Sequence, residues 1–129
     1  MKPSVILLFT RDRNFDQLVS EALFGTSATI FVARSVADAL QIVCRRGREL
    51  DFALLDFDDG CRGMTLLSAV HTCYQNLPIL VMTWKDGDHV NAVAYANGAR
   101  VCFNKPVPAA HLANAITDLQ HARAQLAAA

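Results

Sequence analysis

The sequence reads as an α/β chain, a five-stranded parallel sheet with helices on both faces. Five short, continuously apolar runs recur at even intervals along 129 residues. A stretch with helical spacing follows each run. Strands apolar along their whole length are buried on both faces, and crossovers of this length return them parallel to one another. Composition agrees: 53% hydrophobic and 19% charged residues, with six Gly and four Pro, exclude a disordered or low-complexity chain. Residues 1–129 read as one domain without a linker, complete in itself or the N-terminal part of a longer protein.

Val5-Ile-Leu-Leu-Phe9 is the first strand. Between Asp12 and Phe24, the residues Phe15, Leu18, Val19, Ala22 and Leu23 form one helical stripe. Asp12 or Asn14 caps that helix and Gly25 stops it. Ala28-Thr-Ile-Phe-Val32 is β-branched and aromatic, hence the second strand. Ser35 is the next N-cap, and Val36, Ala39, Leu40 and Val43 carry the stripe to the basic end Arg45-Arg46-Gly47. Phe52-Ala-Leu-Leu-Asp56 is the third strand, and its helix starts near Gly63. The fourth strand spans Leu77 to Thr83, with Pro78 at its start, where a missing N–H does least harm. Asp86 or Asp88 opens a short helix that Asn97-Gly98 ends. Arg100 to Asn104 is the fifth strand, and a last helix runs from about Pro108 to Leu126, with an Ala-rich tail expected to fray after Gln125.

Twelve basic and twelve acidic side chains cancel, so no net field draws the chain to nucleic acid or an anionic membrane. No signal peptide or membrane span is read, and four widely spaced cysteines without a CxxC point to reduced thiols and a cytoplasmic protein. His71, His89, His111 and His121 form no zinc pattern. Arg45, Arg46 and Arg48 read as a solvated helix end. Neither GxxxxGK[ST] nor GxGxxG is present.

Sites in open α/β sheets lie beyond the carboxyl ends of the strands. There the chain places Thr10, Arg11 and Asp12; Asp56, Asp58 and Asp59; Thr83, Trp84 and Lys85; and Asn104, Lys105 and Pro106. Asp56 closes a run of four apolar residues, and a carboxylate at the edge of a dry sheet needs a partner. It is either a loop-ordering Asp or an acceptor beside Thr83 and Lys105, able to carry a phosphoryl group.

Asp56 and Thr83 at strand ends, with Asn97-Gly98-Ala99 leading into Phe103-Asn-Lys105-Pro106, make the chain resemble the receiver domain of two-component response regulators. The resemblance implies a flavodoxin-like (βα)5 fold with strand order 2-1-3-4-5 and a cis peptide before Pro106. It implies that Asp56 takes phosphate from a histidine kinase or phosphotransfer protein, that Thr83 moves toward the phosphoryl group, and that Lys105 binds it. Mg²⁺ is the implied cofactor, with Asp12, Asp56 and Asp58 as its ligands. The chain would be no enzyme beyond self-catalysed phosphoryl transfer and hydrolysis at Asp56. The implied output face is helix four, strand five and helix five, where another signalling protein or a second copy docks.

The sequence departs from that pattern. Two acidic residues normally follow the first strand; here Thr10 and Arg11 stand there, and Asp12 falls one place later. Either Arg11 takes the metal's place and pairs with Asp56 or Asp58, or Arg11 turns to solvent and Asp12 serves as a surrogate ligand. Trp84 replaces a small residue, narrowing access or serving as a contact. Cys102 stands where a switching aromatic is usual, while Asp58 and Lys85 could pair across the pocket mouth. The expected function is thus an atypical receiver in a phosphorelay, an interaction module with weak or lost Mg²⁺-dependent phosphorylation. One alternative is a working phosphoacceptor at Asp56. Another is a small flavodoxin-like cofactor binder, for which Thr10-Arg-Asp-Arg-Asn14 is a thin phosphate loop.

Overall fold

The computed structural model describes residues 4–57, 62–83 and 88–128. Five parallel strands form one sheet in the order β2-β1-β3-β4-β5: β1 (Ser4–Phe9), β2 (Ala28–Ala33), β3 (Phe52–Asp56), β4 (Ile79–Thr83) and β5 (Val101–Asn104). The helices are α1 (Arg13–Ala22), α2 (Val36–Arg46), α3 (Arg62–Cys73), α4 (Asp88–Ala96) and α5 (Ala109–Ala128), with a 3-10 turn at Gly47–Glu49.

Side chains alternate across each strand, so the two faces of the sheet build two cores. Leu7, Phe9, Ala53, Leu55, Ile79 and Val81 pack toward α2, α3 and α4 through Ala39, Val43, Leu66, Leu67, Val70 and Ala94. Ile6, Leu8, Leu54, Leu80 and Met82 face α1 and α5 through Phe15, Val19, Leu112, Ile116 and Leu119. All five residues of β3 and of β4 are buried, which is why those runs lack polar alternation.

Asp12 caps α1, its carboxylate accepting the Asn14 N–H at 2.9 Å, and Ser35 caps α2 through the Asp38 N–H at 3.1 Å. Gly25 takes a positive φ of 82° in the turn after α1, a conformation that costs glycine least. Several boundaries shift by a residue or two from the sequence reading, and two of the shifts have a visible cause. β4 begins at Ile79 because Leu77 closes a turn onto the Tyr74 carbonyl. α5 continues to Ala128 rather than fraying after Gln125, in keeping with alanine's high helix propensity. Cys44 and Cys73 are exposed; with the half-buried Cys102, they are free thiols. No helix among the described residues is long and apolar enough to cross a membrane.

Candidate functional site

The central strands end side by side. Phe9 is in register with Leu55, and Thr83 with Asn104, so Thr10, Asp56, Thr83 and Lys105 emerge at one edge of the sheet. Asp56 is only 4% exposed, and Thr10 is fully buried. The Thr10 hydroxyl donates to Asp56 Oδ2 at 2.5 Å. Lys105 Nζ forms an ion pair with Asp56 Oδ1, and both side chains are almost entirely buried. Each carboxylate oxygen of Asp56 therefore has a partner supplied by the protein itself.

The surroundings fix both partners. Thr10 Oγ1 accepts the Asp12 N–H at 3.0 Å, which aims the hydroxyl proton at Asp56. The Thr10 carbonyl accepts from Arg34 Nη1 at 3.2 Å, and the Arg34 guanidinium is paired in two-pronged fashion with Asp16 on α1. Lys105 follows β5 directly; its N–H donates to the Thr83 carbonyl at 2.6 Å, and the Lys105–Pro106 peptide is cis. Its ammonium lies 5.6 Å from the centre of the Phe15 ring. Burial pushes the Lys105 ammonium below its ordinary value, against the opposing field of Asp12. The contact with Asp56 favours the charged form of Lys105 in turn.

Thr83 is buried, and its hydroxyl donates to Asn104 Oδ1 at 3.2 Å. Arg11 is exposed, and among the described residues the expected Arg11–Asp56 pair is not made. The reason is physical: a guanidinium drawn into that dry corner would lose its hydration, whereas the compact Thr10 hydroxyl fits beneath it. Asp12 turns its carboxylate to the N-terminus of α1. Cys102 is half-buried in β5, and burial raises its thiol above the ordinary value, partly offset by its contact with Tyr95. The Cys102 N–H donates to the Tyr95 hydroxyl at 3.1 Å, which ties α4 to the edge strand. Asp58, Trp84 and Lys85 lie outside the described residues.

Sequence reasoning passed over Thr10 as a partner of Asp56 and missed Arg34 altogether. The signal for Thr10 was available. Asp56 and Thr10 each follow an apolar run in strands that the topology makes neighbours, and a buried carboxylate selects the nearest small donor.

The model of the response regulator receiver domain matches residues 6–117. The chain belongs to this family. It is a receiver domain of two-component signalling, and the flavodoxin-like cofactor-binding alternative falls with that result. Receivers are generally not enzymes of the ordinary kind. Among solved structures, a response regulator receiver domain protein from Clostridium thermocellum is 23% identical, with a TM-score of 0.81 over 95% of this chain and 98% of that one. The CheX–CheY–BeF3–Mg complex from Borrelia burgdorferi matches at 15% identity and a TM-score of 0.82, covering 91% of this chain and 89% of that one. The orphan response regulator HP1043 of H. pylori matches at 15% identity and a TM-score of 0.78, covering 90% and 95%. No curated protein matches the sequence.

Receivers typically use Mg²⁺, which asks for about six hard oxygen donors in near-ideal octahedral geometry. The donors described here do not fit it. Asp56 is already bound through both oxygens, Thr10 offers a neutral hydroxyl turned to Asp56, Asp12 caps α1, and a lysine ammonium shares the pocket. Among the described residues no group of three His, Cys, Asp or Glu could hold a metal ion.

Proposed function

We propose that this receiver acts as an interaction module in a phosphorelay, with weak or lost Mg²⁺-dependent phosphorylation of Asp56. The observation that carries this reading is the double engagement of Asp56, by Thr10 at one oxygen and Lys105 at the other. An attack on a phosphoryl donor must come from an oxygen whose electron density Thr10 or Lys105 already draws on, which makes it a poorer nucleophile. Two like charges then approach one another, and the other described carboxylate at this edge, Asp12, is engaged in capping α1. Thr10 and Arg11 at the end of β1 are the degenerate counterpart of an acidic pair. At most, the chain would catalyse its own slow phosphoryl transfer and hydrolysis at Asp56.

The partner is a histidine kinase, a phosphotransfer protein or another signalling protein. The Borrelia neighbour is a receiver in complex with CheX, which supports a protein-to-protein contact. The contact face is α4, β5 and α5, where Tyr95 is 49% exposed and a second copy could also dock as a homodimer. No direct contact with nucleic acid or membrane is proposed, since the net charge is zero. The free thiols support a cytoplasmic setting. Residues 1–129 act as a single receiver unit.

A second reading, a working phosphoacceptor, is favoured by the convergence of Asp56, Thr83 and Lys105 at one sheet edge. Intact-mass analysis after incubation with phosphoramidate, with and without Mg²⁺, decides between them. The interaction reading expects no more than a trace of species heavier by about 80 Da. A stoichiometric, Mg²⁺-dependent adduct that Asp56→Asn abolishes would establish the phosphoacceptor instead.

A further inference from the structure

Beside the Asp56 pocket, the carboxyl edge of the sheet carries a second concavity. Its volume is about 320 Å³, and Arg11, Ser35, Val36, Arg62 and Thr65 line it. Arg11 follows β1, Ser35 and Val36 open α2, and Arg62 and Thr65 belong to the first turn of α3. The cleft thus lies between the ends of β1 and β2 and the first turn of α3.

The charged residues that line it are both arginines. Arg11 and Arg62 are exposed, and neither takes part in an ion pair among the described residues. The acidic side chains on the neighbouring helix are engaged elsewhere: Asp12 caps α1 and Asp16 holds Arg34. Ser35 Oγ accepts the Asp38 N–H, which leaves its hydroxyl proton to donate. Val36 and the arginine stems supply an apolar wall. Guanidinium forks bind phosphate oxygens in pairs, and the positive end of α2 adds to their field. The volume is at the lower end of small-ligand sites.

We propose that this cleft binds a phosphate monoester, with Arg11 and Arg62 gripping the phosphate, Ser35 donating to it and Val36 packing on the organic group. Asp56 and Lys105 are not among its lining residues.

An NMR titration of the full chain tests it, with phenyl phosphate, inorganic phosphate and a phosphoserine peptide as probes. Phenyl phosphate is expected to shift the Val36 and Thr65 amides saturably and to bind more tightly than inorganic phosphate. Arg11→Gln and Arg62→Gln should each weaken binding by about tenfold, as loss of a charge-assisted bidentate contact does. Arg100→Gln, an exposed change outside the cleft, should leave it unaltered. A peptide that binds tighter than phenyl phosphate makes the source a phosphorylated protein partner; parity makes it a free small ester. The proposal is overturned by shifts that stay linear in phenyl phosphate, by full binding in Arg62→Gln, or by shifts centred on Asp56 and Lys105.

Discussion

At the scale of single residues, a threonine sets the surroundings of Asp56. Thr10 is buried, donates to Asp56 and accepts from the Asp12 N–H. Thr10→Val keeps the shape and removes both contacts, leaving a buried carboxylate oxygen and a backbone N–H short of partners. Urea unfolding should show a loss of about 1–3 kcal/mol; a variant as stable as its parent would mean that the hydroxyl contributes nothing. Asp56→Asn takes the ion-paired carboxylate away from the buried Lys105 ammonium, and a cost of about 3 kcal/mol is expected in the same assay. Cysteine chemistry gives a third expectation. Cys44 and Cys73 are exposed, whereas Cys102 is half-buried and burial raises its thiol above the ordinary value. Brief treatment with iodoacetamide followed by peptide mapping should alkylate Cys44 and Cys73 well before Cys102; Cys102 labelling first would contradict its surroundings as described. The sequence made Asp56 and Lys105 conspicuous because a carboxylate at the end of an apolar run demands a cation. It drew attention to Arg11 over Thr10 for the same reason. Charge is visible in a string of letters, and the cost of drying a guanidinium is not.

At the scale of elements, the strands were legible because five apolar runs of the right length leave little else for them to be. The caps were legible too: Asp12 and Ser35 do at α1 and α2 what their side chains suit them to do. What could not be read is how elements are tied to one another. Arg34 joins the end of β2 to α1 and to the Thr10 carbonyl, a three-way contact with no local pattern. Tyr95 reaches from α4 to the backbone of β5, an edge strand whose outward N–H would otherwise face water. Tyr95→Phe should lower stability by about 1 kcal/mol and speed hydrogen exchange at the Cys102 amide; unchanged exchange there would show that the hydroxyl does not hold the strand. The turn after α4 is equally exacting. Gly98 has a φ of 114°, and a Cβ there would lie 2.3 Å from His71 Cγ. Gly98→Ala must accept both the strained backbone and a displaced His71 ring, and a thermal melt should show a loss of more than about 1 kcal/mol.

At the scale of the whole molecule, the sheet order brings the ends of β1, β3, β4 and β5 to one edge while two cores hold the helices on either face. That arrangement makes the chain a receiver and gathers Asp56, Thr83 and Lys105. At the same edge Thr10 and Lys105 engage the two oxygens of Asp56. Trp84 is the sole tryptophan and directly follows Thr83, so its fluorescence reports on that edge. The most direct measurement is a Mg²⁺ titration of the intact chain, followed by Trp84 emission. With Asp56 held by Thr10 and Lys105, no saturable change is expected through the low-millimolar range. A clear saturating response there would show that the pocket takes up the cation, and that Thr10 and Lys105 do not close Asp56 to it.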